Sequence, residues 1–174
     1  MILASTRPGL PDQPLSGYEA LCCNRRKVMS REYPAQPIVG VGAVILQDDR
    51  VLLVRRGKEP LKGIWSLPGG ALELGERLEA GIRREIREEV GLEVEVGRIV
   101  EVFERITPDE RGVVRYHYVL IDYLCRPTGG SLLAADDADD ARWVTLSELQ
   151  TLVITAGTAP VIEKAFRMLN CASS

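Results

Sequence analysis

The stretch from Gly69 to Leu92 reads GGALELGERLEAGIRREIREEVGL, and its reading decides the fold. Leu78, Ile82, Ile86 and Val90 recur every four residues, which predicts a helix over 77–90 with one buried stripe. Glu85, Glu88 and Glu89 fall on an adjacent flank at the helical increment of about 100° per residue. Carboxylates this close repel one another, and a helix gains nothing from that alone. A hard divalent cation, Mg²⁺ or Mn²⁺, would turn the repulsion into binding. Gly81 stands one turn before Glu85 on that flank. It costs about 1 kcal/mol of helix propensity against alanine, and its small size leaves room for something large beside the carboxylates. Gly91 is placed to cap the helix C-terminus.

Before this stretch, Ile38 to Leu46 (IVGVGAVIL) is an apolar, β-branched run. A turn at Gln47-Asp48-Asp49-Arg50 separates it from Val51 to Arg56 (VLLVRR), so the two predict a hairpin. Arg55 and Arg56 end the second strand. A solvated strand end and a phosphate contact at the rim of a cleft stand about even, because a guanidinium fork matches phosphate oxygens. Trp65 begins a short strand that breaks at Pro68, and it reads as core packing. Gly69 and Gly70 then allow a tight turn with close backbone approach.

After the helix, 92–106 and 113–124 are strand-like, with a turn between them. His117 lies in the second run and reads as a packed strand residue. Residues 127–130 (PTGG) read as a turn. An acidic loop with Asp136, Asp137, Asp139 and Asp140 follows. Arg142-Trp143-Val144 is a last strand, Thr145 or Ser147 caps a short helix, and Ala159 to Leu169 closes the chain as an amphipathic helix. Residues 1–36 are proline-rich and aperiodic. They read as an irregular arm with a short helix near Tyr18 to Cys23, ahead of one domain over 37–170.

The 174 residues suit a single α/β domain with a substantial core. A net charge of −3 provides no general basic surface for duplex nucleic acid. No apolar run is long enough to span a bilayer, and the N-terminus does not read as a signal peptide. Cys22, Cys23, Cys125 and Cys171 show no C-x-x-C spacing. With a single histidine they predict reduced thiols in a cytoplasmic protein rather than a zinc site.

Spaced out, the central stretch is Gly70, five residues, Glu76, seven residues, then Arg84-Glu85-Ile86-Arg87-Glu88-Glu89-Val90-Gly91-Leu92. This resembles the signature of the Nudix hydrolases, G-x5-E-x7-R-E-U-x-E-E-x-G-U with U aliphatic, at every specified position. The approach through VLLVRR and WSLPGG and the late RWV before a short helix are similar to that family too. The resemblance covers the chain from Ile38 to the C-terminal helix.

The resemblance implies a mixed β-sheet between helices, an α/β/α sandwich. It implies hydrolysis of a nucleoside diphosphate linked to another moiety, with a divalent cation drawing charge from the pyrophosphate and activating water. Glu85, Glu88 and Glu89 would hold the metal, and a carbonyl of Gly69 or Gly70 would complete the sphere. Arg84, four residues before Glu88, would hold it in one rotamer. Glu76 would fix the loop-to-helix geometry, facing the free N–H groups at the helix start. The proton acceptor stays open among a glutamate of this Gly70–Leu92 signature box, the four aspartates before Trp143, Glu104 and Glu110.

Pro108, sixteen residues after Leu92, is similar to a proline of the ADP-ribose pyrophosphatases within the family. The resemblance therefore favours ADP-ribose, cleaved to AMP and ribose 5-phosphate, with Arg55, Arg56, Glu104 and Pro108 around the substrate. An oxidised purine triphosphate is the alternative substrate, and a non-catalytic nucleotide sensor is the alternative class. A small nucleotide is the expected partner, with neither nucleic acid nor membrane, and homodimerisation is common among such relatives.

Overall fold

The computed structural model describes residues 31–57, 61–133 and 138–172. The helix expected near Tyr18 to Cys23, and Asp136 and Asp137, lie outside the described residues.

The hydrophobic runs become β1 (Ile38–Gln47) and β2 (Arg50–Arg56), joined through the short turn at Asp48-Asp49. β3 (Trp65–Ser66) and β4 (Gly69–Ala71) follow, then α1 (Leu78–Val90), β5 (Leu92–Pro108), β6 (Val114–Gly130) and β7 (Ala138–Thr145). A short α2 (Leu146–Leu149) and α3 (Thr158–Ala172) end the chain. The strands form one mixed sheet in the order β3-β2-β1-β6-β5, with β4 paired to β1 and β7 to β2. β1 runs parallel to β6 over Ile38 to Ile45, and the other pairings are antiparallel.

Alternation along β1 sorts the core into two layers. Val41, Ala43 and Ile45 face α1 and pack with Ile82, Ile86 and Val90. Val44 and Leu46 face the opposite side and pack with Val161, Ile162 and Ala165 of α3. The result is a helix–sheet–helix sandwich, as the resemblance implies. Gly91 caps α1 in the left-handed conformation, its N–H donating to the Arg87 carbonyl. Thr145 caps α2 through a reciprocal box with Glu148. Trp65 is only 7% exposed and packs in the α3 layer. Among the described residues, no helix is long and apolar enough to cross a membrane.

Two segments differ from the sequence expectation. Residues 127–130 do not turn but extend β6, with Pro127 opposite Val94 and Gly130 opposite Leu92. Asp139 and Asp140 are not in a loop: they lie in β7, and Asp140 pairs with Arg55 of β2. In both places pairing with a neighbouring strand outweighs residue preferences that favour a turn.

Candidate active site

The loop–helix stretch closes around Arg84. Its Nε and Nη2 each donate to Glu76, at 2.9 Å, and Nη1 donates to Glu85 at 2.8 Å. Nη2 also reaches the Ala71 carbonyl at 3.2 Å, and Nη1 reaches Glu88 at a longer 3.4 Å. The bond to Glu88 that helical spacing predicts is thus the weakest of the set, and Glu76 is the principal partner. The Arg84 guanidinium holds the Glu76 carboxyl below the usual carboxylate range. Glu76 in turn holds the Arg84 proton more tightly than an isolated arginine would.

Glu76 does not face the free N–H groups of α1. It accepts from Arg84 and from the Glu73 N–H, at 3.1 Å, and the N-cap residue Arg77 makes no side-chain cap. Gly81 explains how a carboxylate fits there. A Cβ at Gly81 would sit 2.9 Å from Leu72 Cδ1 and 3.1 Å from Glu76 Oε2. The large group its small size admits is therefore Glu76 together with Leu72.

The glycine pair meets the helix directly. The Gly69 N–H donates to Glu89 Oε2 at 2.9 Å, and a Cβ at Gly70 would overlap the Glu85 carboxylate. Both glycines are strand residues of β4, opposite Gly42 and Val41, rather than an open turn. Gly70→Ala is therefore expected to displace Glu85. Turnover should fall on the order of 10²-fold, as when one group of a preorganised site is misplaced by about 1 Å, while circular dichroism shows an intact fold.

The donor set is all-oxygen and anionic, which suits a hard divalent cation. One oxygen of each of Glu85, Glu88 and Glu89 is held by a protein donor, which fixes the three side chains on one flank. Among the described residues, no three acidic, histidine or cysteine side chains converge as a ready-made metal cluster. Arg84 Nη1 stands between Glu85 and Glu88 and holds them in the rotamers of an ion-pair network. The chemistry of the donors fits the cation, which would compete with Arg84 for them.

Beside Gly69 and Gly70 opens a cavity of about 380 Å³, within the usual range for small-molecule sites. Its walls come from β1 to β6 and the start of α3, and include Arg56, Phe103, Arg105, Pro108, Tyr116, Tyr118 and Asp122. Of the expected substrate residues, Arg56 and Pro108 line it. Arg55 turns instead toward Trp65, 5.8 Å from the ring, with Arg142 also over that ring at 4.4 Å. Glu104 and Glu110 are exposed and do not line the cavity. His117 is a half-buried residue of β6 opposite Ile106.

Sequence reasoning missed Asp122. It is 6% exposed, and burial pushes its carboxyl up to about 6, with Arg105 pulling it down and Glu101 pushing it up. The signal was available: a lone acid inside the apolar run VLIDYLC is rarely buried without a reason. Its ordinary value is 3.8, so between these two values the folded protein keeps a proton the unfolded chain has released. Stability should fall by up to about 3 kcal/mol as pH rises through that window, and the cost persists above it. Melting curves at pH 4 to 7.5 should show this slope in the wild type, and a smaller slope in Asp122→Asn, which should be the more stable at pH 7.5. Cys125, also buried, is pushed up to about 12 and is no nucleophile at neutral pH.

Known proteins agree with this architecture. The NUDIX domain family model matches residues 36–165. The chain is 34% identical over 135 residues to an ADP-ribose pyrophosphatase of Methanocaldococcus jannaschii, covering 78% of each protein. It is 33% identical over 117 residues to the human 8-oxo-dGDP phosphatase NUDT18, covering 65% of this chain and 33% of that one. Among solved structures, a MutT NUDIX hydrolase from Burkholderia pseudomallei matches with a TM-score of 0.64 at 30% identity, covering 74% of this chain and 98% of that one. With the full signature around Arg84, a family match over most of its length and the same sandwich, this chain belongs to the Nudix hydrolases.

Proposed function

We propose that this enzyme hydrolyses the pyrophosphate bond of ADP-ribose, releasing AMP and ribose 5-phosphate, with Mg²⁺ as cofactor. The observation that carries the reading is the cleft, which joins an aromatic wall of Tyr116, Tyr118 and Phe103 to the Gly69-Gly70 end of the box. A nucleoside with a pyrophosphate has that polarity: a flat apolar base at one end and anionic oxygens at the other. The similarity to an ADP-ribose pyrophosphatase over 78% of each chain sets the preference among nucleotides.

Glu85, Glu88 and Glu89 would hold the cation beside Gly69 and Gly70, the residues that line the near end of the cleft. The cation supplies charge neutralisation on the pyrophosphate and acidifies a water. Arg84 and Glu76 keep the carboxylates in place. Arg56 reaches the cleft from the end of β2, and its buried Nε has no hydrogen-bond partner among the described residues. A phosphate oxygen would satisfy it. Pro108 ends the wall where β5 leaves the sheet.

A second reading has support in the similarity to NUDT18: a diphosphate of an oxidised purine nucleoside as substrate. Chromatography of the products of ADP-ribose with Mg²⁺ should show AMP and ribose 5-phosphate in equal amounts, and EDTA should stop their release. Intact ADP-ribose alongside rapid cleavage of 8-oxo-dGDP would replace the first reading with the second.

A further inference from the structure

Asp122 lies on the floor of the cleft but away from the box. Gly70 pairs with Val41, and the space above Gly70 is filled by the Glu85 carboxylate. Gly42, the next residue of β1, has its open side filled by Asp122 instead. Neighbouring strand residues point to opposite faces, so Asp122 and Glu85 occupy opposite sides of the sheet. Asp122 is therefore not placed to hold the cation or to take a proton at the pyrophosphate.

Its carboxylate accepts no hydrogen bond from any described residue. Arg105, the nearest cation on the facing strand, donates instead to the Ala156 carbonyl at 2.6 Å. Glu101, directly opposite in register, is paired with Lys164 at 2.8 Å. With no donor among the described residues, its oxygens open on the cleft, where a donor on a bound ligand would meet them. Gly42 keeps the space that lets it sit there.

The surroundings indicate what that partner is. Leu120 and Tyr118 alternate with Asp122 on the same strand face, and Phe103 stands opposite Leu120. This makes a flat, apolar wall that ends in one carboxylate, the complement of a base with an apolar face and a donor on its edge. Asp122 lies two strands from Gly69, through Gly42. At about 4.8 Å per strand this is about 10 Å, room for a ribose between base and pyrophosphate.

We propose that Asp122 is the base-reading residue, its carboxylate accepting a hydrogen bond from the exocyclic amino group of a purine. The inference rests on the cleft being a nucleotide site, though not on which nucleotide. At pH 7.5 the carboxyl, near 6 in the free protein, is ionised and acts as an acceptor only.

Calorimetric titration of the full chain with AMP, IMP and GMP tests this without turnover. IMP has a carbonyl where AMP has its amino group, and it lacks the amino group of GMP. The wild type should bind AMP about tenfold more tightly than IMP, as expected for one hydrogen bond to a charged group. Asp122→Leu should bring the two within about twofold, and Asp122→Asn, which keeps the shape without the charge, to within about threefold. Circular dichroism establishes that each variant is folded, and the asparagine variant carries the test if the leucine variant is not. A preference for GMP that both variants abolish would support Asp122 as the amino reader and overturn ADP-ribose as the substrate. Equal binding of the three nucleotides, no binding of any, or a preference that survives both variants would overturn the role.

Discussion

The Glu89→Gln enzyme is expected to fold normally and to lose on the order of 10²- to 10³-fold in kcat, the usual cost of removing one preorganised charged group from a site of this kind. Glu89 is the most informative of the three carboxylates because its structural bond survives the change. The amide oxygen of glutamine still accepts from the Gly69 N–H, now at 2.9 Å from the carboxylate. The charge is lost while the loop keeps this anchor, so circular dichroism should show an intact fold. Initial rates at saturating substrate over a range of Mg²⁺ concentrations make the check. If the variant retains wild-type turnover, Glu89 has no part in holding the cation.

Arg84→Ala is expected to lower stability by about 2 kcal/mol and to abolish most activity. Arg84 is about a quarter exposed, and Glu76 and Glu85 less so. Removing the guanidinium leaves these two carboxylates partly buried and facing each other without a cation. Arg84→Lys should recover little. One ammonium cannot reproduce the fork that reaches Glu76, Glu85 and the Ala71 carbonyl together. The pH dependence identifies the cause. Glu76 is held below its ordinary value of 4.5. The stability from its pair with Arg84 is present in full above that value and is lost as pH falls through the lower, folded-state one. Chemical denaturation should therefore show a wide gap between wild type and Arg84→Ala at pH 7 that narrows on acidification. A gap that does not change with pH would mean Arg84 stabilises through packing alone.

The site was legible in the sequence wherever the needed residues are close along the chain. Glu76, Arg84, Glu85, Glu88 and Glu89 span one loop and one helix, and helical spacing alone places three of the acids on a flank. Even there, the partner of Glu76 was not legible. Spacing points it at the helix N-terminus, whereas the bond to Arg84 depends on Gly81 leaving room for the carboxylate. The strands were legible from apolar, β-branched runs, and α1 and α3 from their periodicity. Residues 127–130 and Asp139-Asp140 were not, because proline, glycine and aspartate favour turns locally. Their strand character comes from partners about 30 to 85 positions away, β5 for the first and β2 for the second. The cleft was the least legible feature. Arg56, Phe103, Tyr118 and Asp122 come from three strands, and only the sheet order β2-β1-β6-β5 brings them to one cavity.

The most direct test of the whole account is a competition. ADP-ribose and 8-oxo-dGDP at equal concentration are mixed with the enzyme and Mg²⁺, and both are followed in one reaction. The ratio of their disappearance gives the ratio of kcat/KM. ADP-ribose should win by at least about tenfold, a difference of about 1.4 kcal/mol between the two transition states. Preferential loss of 8-oxo-dGDP would contradict the account.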